Sequence, residues 1–269
     1  MTIEYEARNG AFLGGRFRND GRMLAGDYIN GDFQLVFGED PDKGPKPCTA
    51  GFGAEERRSG EAPRLFLLTA GHCYKELGQE VWRAEYDGNA VVPYSDAGKS
   101  EVGTVRRSAF QYFVGSTRTD GAAIRITQGG IVPIAIWGWD GQPLPTKPAM
   151  TAKKGNALCF SGAISGNVSC GRVVARSRRY TGTTEVYAVG GYWVKFREDD
   201  RPGKGDSGAP VWNKRTGRSV GLISAGRPEG TFEETLVAPL IHPGFARPGE
   251  LPGILHGPSM EPIQLKLGE

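Results

Sequence analysis

Glycine and proline interrupt this sequence so often that they restrict the folds open to it. The 269 residues include 41 glycines and 18 prolines. Because proline breaks an α-helix and glycine weakens one, the chain is suited to short strands joined by turns rather than to long helices. Short strand-like runs do recur, and they lie at Asp32–Phe37, Arg64–Thr69, Val102–Arg106, Ala122–Ile126, Ile131–Trp137, Ala157–Phe160, Val168–Ala175, Thr184–Val189, Tyr192–Phe196, Ala209–Trp212, Ser219–Ser224 and Leu236–Ile241.

Five of these runs precede a proline-rich break at residues 142–148, and seven follow it. The sequence therefore predicts an all-β fold of two six-stranded antiparallel β-barrels joined at that break. We expect the first barrel at residues 31–141, the linker at 142–150 and the second barrel at 151–241. Residues 1–30 are interpreted as an N-terminal extension or propeptide remnant. Residues 242–269 form a Pro/Gly-rich tail whose recurring prolines exclude a long helix.

The charge and cysteine content narrow the function further. A formal net charge of +3, with acidic and basic residues interspersed, argues against a dedicated nucleic-acid surface. No stretch approaches 18 apolar residues, so we expect no membrane span. Four cysteines in a secreted chain predict two disulfides, with three pairings open. The competing zinc site lacks C-x-x-C or H-x-x-x-H spacing, so no metal is expected.

The N-terminal segment carries no secretion signal that can be read from its residues. The first ten residues, MTIEYEARNG, have neither a basic region nor an apolar one. Disulfides nevertheless imply an oxidising compartment. We therefore expect a secreted protein whose signal peptide has been removed.

Two motifs suggest nucleophilic catalysis. Thr69–Cys73 reads TAGHC, and Gly205–Gly208 reads GDSG, which presents a serine on a tight glycine-flanked turn. Serine is a weak nucleophile at neutral pH and needs a base, which in turn needs an acid group to orient it. Between the motifs, Asp120 opens an apolar run, whereas Asp87 and Asp96 lie in polar, turn-like stretches. The chain thus offers candidates for all three roles.

With these motifs the chain resembles the chymotrypsin-fold serine peptidases, and within them the bacterial streptogrisin and α-lytic branch. The segment Cys48–Gly53 is similar to a strand of that branch, and the span between Cys159 and Cys170 is similar to its second disulfide loop. The resemblance implies an active site in the cleft between the barrels and the pairings Cys48–Cys73 and Cys159–Cys170. It also implies the following roles: general base His72, orienting acid Asp120, nucleophile Ser207, and an oxyanion hole from the backbone N–H groups of Gly205 and Ser207.

The same resemblance implies a substrate pocket. Ser224, Ala225 and Gly226 would form a wall of the S1 pocket, and Arg201 and Lys204 would lie at its base. Because Arg201 stands where a trypsin-like enzyme has aspartate, a basic P1 residue is not expected, and an acidic one is the alternative.

The sequence also departs from the family pattern at two positions. Ala209 replaces a common glycine. Phe160 stands where relatives often carry an arginine that pairs with the aspartate before the serine, here Asp206.

Together these features predict a secreted serine endopeptidase that acts as a monomer on proteins or peptides. We expect protein inhibitors as further partners, and no cofactor, metal, nucleic acid or membrane partner. Two alternatives remain open at this point. One is a catalytically silent binding or adhesion module on the same fold, and the other is an esterase.

Overall fold

A computed structural model of the chain describes residues 2–5, 15–18, 28–31, 48–56, 60, 62, 64–74, 77–86, 91–93, 101–108, 120–126, 135–137, 143–163, 165, 168–177, 191–203, 205–226, 234–240 and 260–262. Over these ranges it contains strands and two short 3-10 helices, Gly71–Cys73 and Glu198–Asp200, but no α-helix. No helix in the described part of the chain is both long and apolar enough to cross a membrane.

The strands are short, as the frequent glycines and prolines predict. Those before the proline-rich break are β1 Thr2–Tyr5, β2 Gly15–Arg18, β3 Tyr28–Gly31, β4 Cys48–Thr49, β5 Gly53–Glu56, β6 Arg64–Thr69, β7 Glu80–Tyr86, β8 Val91–Pro93, β9 Glu101–Ser108, β10 Ala122–Ile126 and β11 Ala135–Trp137. The later ones are β12 Pro143–Pro145, β13 Ala157–Ser161, β14 Val168–Ser177, β15 Gly191–Lys195, β16 Pro210–Asn213, β17 Ser219–Gly226, β18 Glu234–Pro239 and β19 Met260–Pro262.

Strands from the first half of the chain, together with β19 near its C-terminal end, form an antiparallel sheet of nine strands in the order β19-β5-β6-β10-β9-β7-β3-β4, with β8 added beside β7. At its centre, β6 is apolar enough for its last four residues to be fully buried. It pairs with β10 so that Thr69 lies opposite Ala122. Because β6 ends just before His72 and β10 begins just after Asp120, this register brings His72 and Asp120 close together.

The second half closes into a six-stranded antiparallel barrel, in the order β13-β14-β15-β18-β17-β16 and back to β13. Its interior is filled by apolar side chains, including Phe160, Tyr192 and Val211. The predicted all-β fold is confirmed by this closed barrel and the second sheet. Two further hairpins, β1–β2 and β11–β12, lie outside both.

A shared apolar cluster packs the two halves together. Phe52 and Leu68 from the first sheet lie in one buried group with Trp212 and Leu222 from the barrel. Burying a large apolar side chain contributes about 1.5–3 kcal/mol. This cluster therefore holds the halves against each other, and with them the side chains that each half contributes to the site.

The sequence located some strands and missed others. It did not anticipate β7, in which charged residues interrupt the apolar ones without a regular alternation. The predicted strands at 32–37 and 184–189 lie outside the described residues. Within 142–150, predicted as a linker, β12 pairs with β11, and β19 of the predicted tail pairs with β5. The domain boundaries themselves stay predictions.

Candidate active site

His72 lies on the 3-10 helix Gly71–Cys73, directly after β6. The disulfide between Cys48 and Cys73, called here the first disulfide, ties this turn to β4. The His72 side chain is 30% exposed, so its ring borders solvent while the residues on either side are buried. The buried strand β6 before His72 and the first disulfide after it thus fix the position of the ring.

Asp120 comes next to His72 because β10 pairs with β6. Its Oδ1 accepts a hydrogen bond from the backbone N–H of His72 at 2.9 Å, and its Oδ2 lies 2.6 Å from Nδ1 of the ring. Burial of the carboxyl works to raise its pKa. The charge of His72 and hydrogen bonds from His72 and Ser224 outweigh burial, so the pKa of Asp120 lies below its usual value. Asp120 is therefore a carboxylate at neutral pH.

An ionised Asp120 decides which ring nitrogen carries the proton. A carboxylate only accepts hydrogen bonds, so Nδ1 of His72 must be the donor at 2.6 Å. In the neutral ring Nε2 is then the acceptor, and it lies 3.0 Å from Oγ of Ser207. The three side chains form one continuous chain of hydrogen bonds that ends on the serine hydroxyl.

The turn that carries Ser207 depends on glycine. Gly205 and Gly208 have φ angles of +101° and +90°, which residues with a side chain rarely adopt. A Cβ at Gly208 would also collide with the hydroxyl of Thr69 and lie 2.5 Å from the carbonyl oxygen of Thr49. The GDSG motif therefore lets the backbone bend sharply and approach the first sheet closely, which brings Ser207 to His72.

Ser224 has a contact that the sequence did not reveal. Its buried hydroxyl donates to Oδ2 of Asp120 at 2.6 Å. The pairing of β17 with β18 shifts register between Ile223 and Ala225, so Ser224 lies at an irregularity of the kind that re-aims a side chain. The sequence predicted only a pocket wall here, and no local pattern indicates the bond to a residue 104 positions away.

The remaining predicted pocket residues are less closely defined. Ala225 and Gly226 are half-buried at the end of β17, and Arg201 is half-buried after the 3-10 helix Glu198–Asp200. Lys204 lies outside the described residues. Their roles in binding substrate stay predictions.

Backbone groups surround Asp206, the residue before the serine. Its buried carboxylate accepts hydrogen bonds from the N–H of Gly203 at 2.8 Å and of Ser165 at 3.2 Å. Phe160, at the place of the family's arginine, is fully buried and packs edge-to-face on Phe196 with ring centres 5.1 Å apart. Phe160 therefore contributes to the barrel core and supplies no charge to Asp206.

Gly162 makes room for that carboxylate. A Cβ at this position would collide with the carboxylate of Asp206 and lie 2.5 Å from Oγ of Ser165. Both Gly162 and Ser165 belong to the loop of the β13–β14 hairpin. The disulfide Cys159–Cys170, called here the second disulfide, closes this hairpin across directly paired residues. The hairpin loop thus forms part of the support for the serine turn.

A metal site was also considered, in the part of the chain that the structure describes. Within these ranges, no three side chains of His, Cys, Asp or Glu lie together in a group that could hold an ion.

Comparisons with known proteins identify the family and the fold. A family model described as Trypsin matches residues 36–241. No curated protein sequence matches the chain. Protease A of Thermobifida fusca shares 20% identity and a TM-score of 0.54, over 81% of this chain and 92% of that one. The Nocardiopsis protease NAPase gives 21% and 0.54, over 81% and 93%. An α-lytic protease homolog, N4, gives 21% and 0.51, over 81% and 93%.

At such identities the likeness to solved structures establishes the fold alone. The family match goes further, because it covers well over half of the chain and includes both the histidine and the serine motifs. The resemblance found in the motifs is therefore confirmed, and the chain belongs to the trypsin family.

Proposed function

We propose that this protein is a secreted serine endopeptidase, with Ser207 as nucleophile, His72 as general base and Asp120 as the acid that orients the base. The observation that carries the proposal is the unbroken chain of hydrogen bonds from Asp120 through His72 to Ser207, with distances of 2.6 and 3.0 Å. Serine hydroxyls acquire nucleophilic strength when an adjacent base takes their proton.

The reaction begins when Oγ of Ser207 attacks the peptide carbonyl carbon and its proton passes to Nε2 of His72. The resulting imidazolium is stabilised by Asp120, which stays ionised. His72 then gives the proton to the leaving amine, and the carbonyl carbon remains bonded to Ser207 as an acyl-enzyme. Water, deprotonated by His72, releases the acid product and regenerates the serine. Every proton in this cycle moves through Nε2.

The charge that develops on the carbonyl oxygen needs donors already in place. We assign them to the backbone N–H groups of Gly205 and Ser207. Neither group donates a hydrogen bond to another of the described residues. The N–H groups on either side behave differently, since Asp206 donates to Gly203 and Gly208 donates to Ile223. The donors nearest the nucleophile are thus the ones left for substrate.

The setting of the reaction follows from the disulfides and the pocket residues. Two disulfides persist in an oxidising compartment, which supports secretion. We assign protein or peptide substrates and a monomeric enzyme. In this assignment Ser224, Ala225 and Gly226 form a wall of the S1 pocket, with Arg201 and Lys204 at its base.

Replacement of the nucleophile tests the assignment. Ser207→Ala should lower kcat/KM on peptide substrates by more than about 1000-fold, as loss of a triad member does. Ser219→Ala is the matched control, because its hydroxyl is bonded to the backbone carbonyl of Lys147 and has no catalytic role. The wild-type protein should react with a fluorophosphonate, and Ser207→Ala should not.

Three outcomes would contradict the assignment. Activity above about a tenth of wild type in Ser207→Ala would exclude this residue as nucleophile. A wild-type protein that neither cleaves peptides nor reacts with the fluorophosphonate would be a silent binding module. Cleavage of esters without any cleavage of a peptide library would make the protein an esterase.

A further inference from the structure

Thr49 is a buried polar residue at the meeting point of the two halves of the chain. It is the second residue of β4, next to Cys48 of the first disulfide, and its side chain has no exposed surface. Nothing in the sequence distinguishes it from an ordinary strand threonine. Its contacts, however, reach residues far away in the sequence.

Every hydrogen-bonding group of Thr49 is directed at the site or its support. Its hydroxyl donates to the carbonyl oxygen of Gly205 at 2.8 Å and accepts from the N–H of Ala163 at 3.2 Å. Its own N–H donates to the carbonyl oxygen of Ser207 at 2.8 Å. Its carbonyl oxygen accepts from the hydroxyl of Thr69 at 3.0 Å.

These contacts hold both ends of the segment that carries the nucleophile. The Thr49 hydroxyl binds the carbonyl before Asp206, and the Thr49 N–H binds the carbonyl after it. A peptide unit is planar, so these two bonds fix the Gly205–Asp206 and Ser207–Gly208 peptide units. The N–H of Ser207 belongs to the unit between them and the N–H of Gly205 to the unit just before them, so fixing these neighbours limits how both N–H groups can turn. Gly205 has little conformational restraint of its own. The threonine hydroxyl therefore supplies an orientation that the glycine backbone does not.

We propose that Thr49 is a positioning residue that keeps the Gly205–Ser207 turn in the shape that binds the oxyanion. It touches no substrate atom and acts through Gly205. Its hydroxyl joins this turn to Ala163 in the loop closed by the second disulfide, and its backbone joins both to the first sheet. The role rests on the proposed serine peptidase activity.

Three variants of Thr49 test the hydroxyl separately from the side-chain volume. Thr49→Val replaces the hydroxyl by a methyl group of similar size. Thr49→Ser keeps the hydroxyl, and Thr49→Ala differs from Thr49→Ser only in lacking it. A displacement of about 1 Å near the reacting atoms can cost about 100-fold in rate. We expect kcat to fall about 10- to 100-fold in the valine and alanine variants, with KM within about threefold. The serine variant should stay within about threefold of wild type.

The loss of kcat at nearly constant KM, with rescue by serine, distinguishes positioning from a purely structural role, and the pH profile tests whether the hydroxyl acts through the triad instead. Thr49 makes no hydrogen bond to His72 or Asp120, so the pH midpoint of kcat/KM should be the same in the wild type and in each Thr49 variant that folds. A Thr49→Val enzyme with wild-type kcat, or a Thr49→Ser enzyme as slow as Thr49→Ala, would overturn the proposal. If Thr49→Val does not fold, the serine–alanine comparison decides alone.

The wild-type protein separates this proposal from the proposed function. If it shows no activity that depends on Ser207, both proposals fail. If it is active and the hydroxyl of Thr49 has no effect on kcat, only the positioning role fails. The fourth variant, Ser207→Ala, is therefore measured in the same series.

Discussion

Replacing Gly162 by alanine is expected to lower activity more than stability alone would explain. The new Cβ would lie 2.5 Å from Oγ of Ser165 and closer still to the carboxylate of Asp206. Non-bonded heavy atoms are best separated by about 3.5 Å, so the carboxylate must move by about 1 Å or more. Asp206 is held by the N–H groups of Gly203 and Ser165, and it directly precedes Ser207. The displacement therefore reaches the serine turn.

Gly162→Ala should lower both the folding free energy and the reaction rate. Overpacking of this kind costs about 1–3 kcal/mol of folding free energy. A misplacement of about 1 Å at the reacting groups lowers the rate about 100-fold, which corresponds to about 2.7 kcal/mol in activation free energy. Urea denaturation gives the first quantity. Steady-state kinetics on a peptide substrate, corrected for the folded fraction, gives the second.

Gly171→Ala is the matched control. Its Cβ would lie 2.9 Å from the carbonyl carbon of Lys195 and closer to the carbonyl oxygen. Gly171 is in the same disulfide-closed hairpin but faces β15 rather than Asp206. It should lose stability as Gly162→Ala does while keeping kcat/KM within about threefold, since no reacting group moves. Equal activity losses in both variants, or a folded Gly162→Ala enzyme with wild-type kcat/KM, would refute the reasoning.

Three further predictions concern the disulfides and pH. From sequence separations of 25 and 11, loop entropy predicts that removing the first and second disulfides by double alanine substitution costs about 3.5 and 2.8 kcal/mol of unfolding free energy, measured in urea; unchanged midpoints would contradict this. Peptidase kcat/KM should rise between about pH 5 and 8 as His72 becomes a neutral base, and a flat profile would argue against that role. Because folding lowers the pKa of Asp120, its contribution to stability should be complete above the unfolded pKa of about 3.9 and lost as pH falls through the folded pKa. Asp120→Asn should flatten this acid-side decline, and an unchanged decline would exclude Asp120 as its source.

The sequence by itself determined the class of fold and located the two motifs around His72 and Ser207. Glycine and proline act locally on the backbone, so their frequency was enough to predict short strands without long helices. The motifs around His72 and Ser207 are also local, since each needs only a strand end or a tight turn to present its side chain. Asp120 could be assigned only by its position before an apolar strand.

The tertiary structure decided which distant groups meet. Asp120 reaches His72 because β10 pairs with β6, and Ser224 reaches Asp120 across 104 residues from an irregular point in β17. Thr49 reaches Gly205 across 156 residues. Such contacts arise from strand register and barrel closure, and short sequence patterns do not encode either one. The sequence therefore indicated the candidate catalytic residues, whereas packing of the two halves brought them together and placed the buried hydroxyl and backbone groups that hydrogen-bond to them and to their turn.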